Sequence, residues 1–338
     1  MSYTKPPVSF FSPTKIAWFF LGGVSLWLLV NSLLLHWHYQ KGNTAYQQAD
    51  CKTAIAELDK AINQGGAIDF NDNKDRAKAQ KSECLKLQTA LQKEAKAQLL
   101  PALLDYNNFV KAHPRSPLVE TAKIHSQELF SPNNLPSLAQ HTICSNIITF
   151  VERELIPNTE EVIPALYKNC GQNYAKAKQY DQAMTMYETF LKEYPNHSFV
   201  ATIKKDLGTI MIADARQKGA GQLPPAVPSG LTIDGTTTVQ IRNESPYPLR
   251  IVLNGPESQF QEIPACKDCQ KRSASAELES CPNQGPVINL TLKPGNYDIV
   301  AKSIVGENVN PYVGNWTLGK GYQYDNCFFI VTRSSSNS

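Results

Sequence analysis

One long apolar stretch near the start of the chain constrains the fold more than any other sequence feature. It covers residues 16–37, "IAWFFLGGVSLWLLVNSLLLHW", and contains no Asp, Glu, Lys or Arg. At about 1.5 Å per residue, this stretch gives roughly 33 Å of helix, enough to cross a hydrocarbon core of about 30 Å. Trp18 and Trp37 stand near its ends, where amphipathic rings favour a membrane interface. The stretch predicts an uncleaved transmembrane signal anchor, with a buried core helix or a cleaved signal peptide as the alternatives.

The charges that flank this stretch predict its orientation. Lys5 and Lys15 precede it without an acidic residue, whereas Lys41, Asp50 and Lys52 follow it as a mixed set. Because positive flanks stay in the cytoplasm, residues 1–15 are predicted to form a cytoplasmic tail. The sequence thus predicts a single-pass membrane protein of the cell envelope with its bulk outside the cytoplasm, in a periplasmic or luminal space.

Composition and motifs argue against several classes of function. The chain has 33 basic and 30 acidic residues, a balance that does not favour nucleic-acid binding. It contains no phosphate-binding glycine loop, no G-x-S-x-G elbow and no H-E-x-x-H helix. We therefore expect no enzymatic activity, no catalytic residues, no cofactor and no nucleic-acid partner.

Changes in residue pattern divide the rest of the chain. Residues 38–217 place apolar side chains at three- and four-residue spacing, which predicts amphipathic helices. Residues 218–230, "KGAGQLPPAVPSG", predict a linker, and 231–333 contain short β-branched and aromatic runs typical of a β-sandwich. Residues 334–338 predict a disordered tail. The predicted fold class is multidomain: one transmembrane helix, an all-α helical repeat domain and a C-terminal all-β sandwich.

Residues 164–197 carry a pattern of small and large side chains at Tyr167, Cys170, Gly171, Tyr174, Ala183, Tyr187 and Pro195. It resembles the tetratricopeptide repeat, a 34-residue helix-turn-helix in which small residues mark the helix crossing and proline ends the second helix. Residues 102–123 repeat part of it 81 residues earlier, and Gly42, Ala54, Leu58 and Ala61 have the same internal spacing.

The resemblance implies adaptor work, because the first helices of such arrays line a groove that holds peptides or partner helices. Carried over to the pattern at 164–197, the groove positions are Lys168, Gln172, Ala175 and Lys176. Three of them are four residues apart and share one helical face, which suits an acidic segment or a carboxylate. A plain solvated face is the alternative.

Eight cysteines in a chain predicted to be exported favour disulfide bonds. In an antiparallel hairpin, residues equidistant from the loop face each other. Cys51 and Cys84 are symmetric about the breaker at 65–72, and Cys144 and Cys170 are symmetric about 156–164. Both pairs are predicted to be interhelical disulfides, with buried free thiols as the alternative.

The other four cysteines, Cys266, Cys269, Cys281 and Cys327, form the pattern C-x2-C-x11-C-x45-C. Two structural disulfides of undetermined connectivity, a zinc site and a thiol redox site all remain possible. The spacing favours disulfides, because a second close pair for zinc and a helix start for a redox pair are both missing.

Residues 290–303, "LTLKPGNYDIVAKS", are similar to the turn and strand of PEGA-type and carboxypeptidase-regulatory-like modules. A glycan-binding role for Tyr312, Trp316 and Tyr322 is a further alternative to core packing. Taken together, the sequence predicts a membrane-anchored extracytoplasmic scaffold for protein partners. The alternative is a membrane-tethered thiol oxidoreductase or zinc-binding protein that uses the Cys266/Cys269 pair.

Overall fold

The computed structural model describes residues 13–270, 272–273, 281–305, 309–329 and 331–332, and it describes their side chains except for 13–23, 272–273 and 331–332. The predicted tail at 334–338 and residues 1–12 of the predicted cytoplasmic tail lie outside the described residues.

The described chain is helical up to residue 217. The helices are α1 (Pro13–Gln47), α2 (Cys51–Asn63), α3 (Asn73–Ala95), α4 (Leu99–Ala112), α5 (Val119–Glu128), α6 (Leu135–Leu138), α7 (His141–Cys144), α8 (Ile147–Glu152), α9 (Val162–Lys176), α10 (Tyr180–Glu193) and α11 (Val200–Gln217).

Strands follow in the remainder of the described chain. They are β1 (Gly221–Gln222), β2 (Pro228–Leu231), β3 (Thr237–Asn243), β4 (Leu249–Asn254), β5 (Ser258–Ile263), β6 (Arg272–Ser273), β7 (Val287–Leu292), β8 (Gly295–Ser303), β9 (Tyr312–Leu318), β10 (Tyr322–Phe328) and β11 (Val331–Thr332). The segment predicted as a linker contributes β1 and the start of β2.

The chain divides into two compact units. The described residues of the first unit lie within Met1–Leu138 and Ser145–Ile163, and those of the second lie within Ala139–Cys144 and Pro164–Ser338. The second unit therefore contains α10 and α11 together with every strand.

Helix α1 contains the stretch that the sequence predicts as a membrane span. Within the residues that the structure describes, no helix combines the length and the apolar character needed to cross a membrane. The prediction of a transmembrane signal anchor, and with it the single-pass membrane localisation with an extracytoplasmic bulk, is therefore wrong.

Polar side chains inside the predicted span account for part of this error. Ser32 Oγ accepts a hydrogen bond from the amide of Ile68 at 2.9 Å, and Asn31 accepts one from the side chain of Gln64. His38 Nδ1, one residue beyond the stretch, lies 2.7 Å from a carboxylate oxygen of Glu57 on α2. Asn31 and Ser32 thus contact their own helical unit, whereas large apolar side chains such as Leu29 and Leu33 stay more than half exposed. A count of charged residues does not reveal these polar contacts.

Three helical hairpins, α1/α2, α3/α4 and α9/α10, each have a three-residue connector, and the three connectors have the same backbone conformation. Its middle residue has a positive φ of 59° at Ala49, 55° at Ala97 and 57° at Lys178. The following amide reaches the carbonyl five residues back, which is the Schellman way of ending a helix. These bonds join Asp50 N to Ala45 O, Gln98 N to Lys93 O and Gln179 N to Tyr174 O, each at 2.9 Å.

Small residues allow the two helices of a hairpin to approach. A Cβ atom on Gly171 would lie 2.2 Å from the buried Tyr187 ring, and one on Gly42 would lie 2.7 Å from Leu58. Ala90 occupies the position in its hairpin that Gly171 occupies in the other, eight residues before the last residue of the connector. It is also fully buried. The hairpins therefore depend on the small residues that the sequence pattern singles out.

The 81-residue spacing recurs in the backbone conformation. His113 and Tyr194 follow the 14-residue helices α4 and α10 with φ, ψ of −130°, 56° and −128°, 56°. Leu118 and Phe199, the N-cap residues directly before the next helices, have φ, ψ of −81°, −7° and −78°, −8°. The segments "HPRSPL" and "YPNHSF" thus form the same turn.

Helix α11 joins the helical and β parts of the second unit. It buries apolar side chains on several sides and contacts α10 as well as β4, β5, β8 and β9. The side chain of Asn254 on β4 donates a hydrogen bond to Thr209 of α11 at 3.0 Å. The prediction of an all-α domain and a separate all-β sandwich is therefore wrong, because α11 and the sheet share one apolar surface.

Two mixed sheets make up the sandwich. Their strand orders are β1-β9-β8-β4-β5 and β2-β10-β3-β7, with parallel pairs β1/β9 and β3/β10, while β6 and β11 form a separate pair. Strand β10 lies inside the second sheet between β2 and β3. Alternate residues of both sheets point into a core that contains Val239, Ile241, Ile251, Leu253, Tyr297, Ile299 and Trp316.

Candidate functional site

The four predicted groove residues lie on α9 in the second unit. Lys168, Gln172 and Ala175 are half-buried, and Lys176 is exposed. Lys168 Nζ lies 4.3 Å from the centroid of the Phe199 ring. Lys168 and Gln172 also contact Asp206 of α11, where burial raises the pKa of the carboxyl group and these two side chains oppose that rise. Lys168 and Gln172 thus contact α11. Ala175 and Lys176 are the last two residues of α9, at its C-terminal end.

Four of the predicted disulfide cysteines are bonded within the helical part. Cys51 of α2 joins Cys84 of α3, with their Cα atoms 5.1 Å apart. Cys144 of α7 joins Cys170 of α9, with their Cα atoms 5.6 Å apart. These are the two pairs that the symmetric spacing predicts.

The other four cysteines gather at one end of the sandwich. Cys266 and Cys269 form a disulfide in the turn after β5, whereas Cys281 and Cys327 are free thiols. Burial, followed by a hydrogen bond with Cys281 and the negative charges nearby, raises the pKa of Cys327 to about 12. Cys327 is therefore protonated at neutral pH, which makes it a poor nucleophile.

A carboxylate lies among these sulfur atoms. Glu244 follows β3 directly, and its side chain is 1% exposed. Its Oε1 accepts a hydrogen bond from the amide of Gln284 at 2.9 Å and lies 3.8 Å from both Cys281 Sγ and Arg242 Nε. Its Oε2 lies 3.3 Å from Cys269 Sγ. A disulfide sulfur has no proton to donate, so in the bonded form this last contact is not a hydrogen bond.

A buried amide fixes the loops around Glu244. The side chain of Asn243 donates hydrogen bonds to the carbonyls of Tyr247 and Pro264, each at 2.8 Å, and it accepts one from the amide of Ser245. A Cβ atom at Gly285 would lie 1.9 Å from the carbonyl oxygen of Asn243. Glycine therefore lets the loop of Gln284 reach the carboxylate.

This arrangement has three chemical uses. It can hold structural disulfides, it can exchange electrons between thiols and a disulfide, or it can bind a metal ion. We name Glu244, Cys266, Cys269, Cys281 and Cys327 the sulfur–carboxylate cluster.

The sequence did not identify Glu244 as a member of the cluster. It stands 22 residues before Cys266 in "QIRNES", and no ligand motif has that spacing. The usable signal is its position, a charged residue directly after a strand that alternates buried and half-buried residues.

The residues considered for sugar stacking do not share one role. Trp316 is 1% exposed, and its indole donates a hydrogen bond to the carbonyl of Pro224 at 3.0 Å. Tyr312 and Tyr322 are both more than 40% exposed. The indole therefore belongs to the sandwich core.

No protein-family model matches this chain, and no curated protein matches it significantly by sequence. The resemblances to tetratricopeptide repeats and to PEGA-type modules stay predictions that rest on the residues alone.

Proposed function

We propose that this chain is a non-catalytic scaffold that binds protein partners on its helical hairpins. The observation that carries the proposal is the hairpin with a shared connector, which occurs in both compact units. Within the first unit the hairpins α1/α2 and α3/α4 pack on each other through α2 and α3, and stacked hairpins offer a surface that suits an extended segment.

The C-terminal end of α9, at Ala175 and Lys176, is the proposed contact surface in the second unit. Lys176 is exposed there beside the half-buried Ala175, and Lys168 lies further along the same helix. The positive charge favours a partner segment that carries Asp or Glu side chains.

The test is affinity capture of binding proteins with the full chain as bait, compared between the parent chain and two variants. Lys176→Glu with Ala175→Arg should remove at least one specifically captured protein, because the charge is reversed and the surface is blocked. Lys192→Glu, at a residue that is 82% exposed on α10, is the matched control and should leave capture unchanged. A chain that captures nothing above a tag-only control, or partners that ignore the α9 variant, would contradict the proposal.

A second candidate function is thiol–disulfide exchange by the Cys266/Cys269 pair. One observation favours it, namely that a C-x2-C pair is bonded beside two free thiols. The pair lies in a turn after a strand, whereas a thiolate-stabilising helix start is what activates such cysteines. The test is dithiol-dependent reduction of insulin by the full chain, with Cys266→Ser as control, and equal rates would exclude this function.

A further inference from the structure

The sulfur–carboxylate cluster brings three possible metal ligands together. One carboxylate oxygen of Glu244 and the sulfur atoms of Cys266 and Cys269 all lie within 4.8 Å of one another. The cluster thus satisfies the first requirement of a metal site, which is convergence of donor atoms from separate parts of the chain.

Two sulfur atoms lie about as far from the Glu244 carboxylate as neighbouring ligands of a tetrahedral ion lie from each other, whereas the Cys266 and Cys269 sulfurs are bonded together and separate only on reduction. Zn–S bonds of about 2.3 Å and Zn–O bonds of about 2.0 Å place neighbouring ligand atoms roughly 3.5–3.8 Å apart. Cys269 Sγ is 3.3 Å from Glu244 Oε2, and Cys281 Sγ is 3.8 Å from Glu244 Oε1. Cys281 contacts the other oxygen of the same carboxylate, which makes it the candidate for a fourth ligand, and the C-x2-C motif alone does not identify it.

Charge balance favours a divalent cation of the zinc class. With Cys281 as the fourth ligand, three thiolates and one carboxylate carry four negative charges, of which Zn²⁺ and the guanidinium of Arg242 would neutralise three. Sulfur ligands select borderline and soft metals over Mg²⁺ and Ca²⁺, which take oxygen ligands. In the oxidised form, by contrast, the buried Oε2 faces a sulfur without a proton, so the disulfide leaves this oxygen poorly stabilised.

The surrounding hydrogen bonds orient the ligands before any ion binds. The amide of Gln284 fixes Glu244, and the amide of Cys266 donates to the carbonyl of Ser245 at 2.9 Å. Asn243 contacts both loops, because its backbone amide donates to the carbonyl of Pro286 at 3.0 Å and its side chain donates to the carbonyl of Pro264 at 2.8 Å. Such outer contacts commonly change metal affinity by about 10- to 100-fold.

We propose that the reduced sulfur–carboxylate cluster is a Zn²⁺ site formed by Cys266, Cys269, Glu244 and Cys281. The Cys266–Cys269 disulfide is the oxidised, metal-free form of the same site. A water-soluble phosphine converts one form into the other: it takes the oxygen atom of a water molecule and becomes a phosphine oxide, while the disulfide gains two electrons and two protons. Zn²⁺ then replaces the thiol protons of its cysteine ligands.

Cobalt titration of the reduced full chain tests the proposal, because Co²⁺ reports thiolate coordination in its absorption spectrum. Free thiols are first counted by alkylation and mass spectrometry. We expect one Co²⁺ per chain with thiolate-to-metal and tetrahedral d–d bands, displacement by Zn²⁺, and no bands before reduction.

Variants decide which residues bind the ion. Cys269→Ser should abolish the bands, while Glu244→Gln, which keeps every thiol, should weaken binding at least tenfold. Cys281→Ser should weaken binding and change the d–d bands. The double variant Cys51→Ser/Cys84→Ser removes a disulfide of the first compact unit and is the matched control, which should bind Co²⁺ as the parent chain does.

Two results would overturn the proposal. One is a reduced chain with free Cys266 and Cys269 that gives no thiolate–cobalt band. The other is a band that persists unchanged in both Cys269→Ser and Glu244→Gln. Circular dichroism of each variant shows whether a lost band reflects a lost ligand or a lost fold.

Discussion

Removing the charge of Glu57 should weaken the contact between α1 and α2. This carboxylate is 5% exposed, and its oxygens contact His38 Nδ1 at 2.7 Å, Lys60 Nζ at 3.0 Å and Lys41 Nζ at 3.1 Å. The hydrogen bond from His38 is the largest cause that lowers the pKa of Glu57 to about 2, and the two lysines add to it while burial opposes it. His38 and Lys41 belong to α1, so the network joins the two helices.

The size of the effect follows from this pKa. A decrease from the ordinary value of 4.5 to about 2 corresponds to at most about 3 kcal/mol of folding stability at neutral pH. Lys41 and Lys60 are at least half exposed, so solvent screening should reduce the effect to about 1–2 kcal/mol. The isosteric substitution Glu57→Gln should lower the free energy of unfolding by this amount at pH 7.

The pH dependence gives the sharper test. Because the folded pKa lies below the unfolded one, the stabilisation is complete above about pH 5 and is lost as the pH falls from 4.5 toward 2. Urea unfolding followed by circular dichroism should therefore show a difference between Glu57→Gln and the parent chain that is about halved at pH 3. Asp75→Asn, in an exposed pair with Lys78, is the control and should change stability by less than about 0.5 kcal/mol. An equal cost of Glu57→Gln at both pH values would refute the reasoning.

Two further substitutions test the hairpins. In Gly171→Val, the new Cβ atom would lie 2.2 Å from the Tyr187 ring, so this variant should lower the free energy of unfolding by about 2–3 kcal/mol in a thermal unfolding experiment. Gly65→Val, at a position with open space around it, should leave stability nearly unchanged. Cys51→Ser with Cys84→Ser opens a loop with a sequence separation of 33 and should lower the free energy of unfolding by about 2–4 kcal/mol. Reduction of the parent chain also opens Cys144–Cys170 and Cys266–Cys269 and should therefore cost at least as much. A double variant as stable as the parent would show that the Cys51–Cys84 disulfide does not constrain the unfolded chain.

The local features of this fold could be predicted from the sequence, because they depend on residues that are neighbours on one helix or hairpin. Gly171 and Ala183 mark a helix crossing since larger residues do not fit there. The cysteines at 51 and 84 are equally distant from a Gly-rich loop, which is enough to place them opposite each other.

Features that depend on distant contacts could not be predicted in this way. The apolar stretch gives no sign that Ser32 and Asn31 form tertiary hydrogen bonds, and its hydropathy alone does not distinguish a membrane span from this helix. The apolar residues of α11 gave no sign that a sheet covers them. Glu244 reaches the cysteines only because the end of β3 and the loop before β7 meet there, and no spacing in the chain encodes that meeting.

The position of β10 has a consequence for how the second unit forms during synthesis. This strand, residues 322–328, separates β2 from β3, although it emerges from the ribosome about 80 residues after β3. Until it arrives, β2 and β3 have unpaired backbone groups facing an empty place in the sheet, and such edges invite pairing with other chains. Nascent chains that stop before residue 322 should therefore aggregate more than those that stop after residue 332.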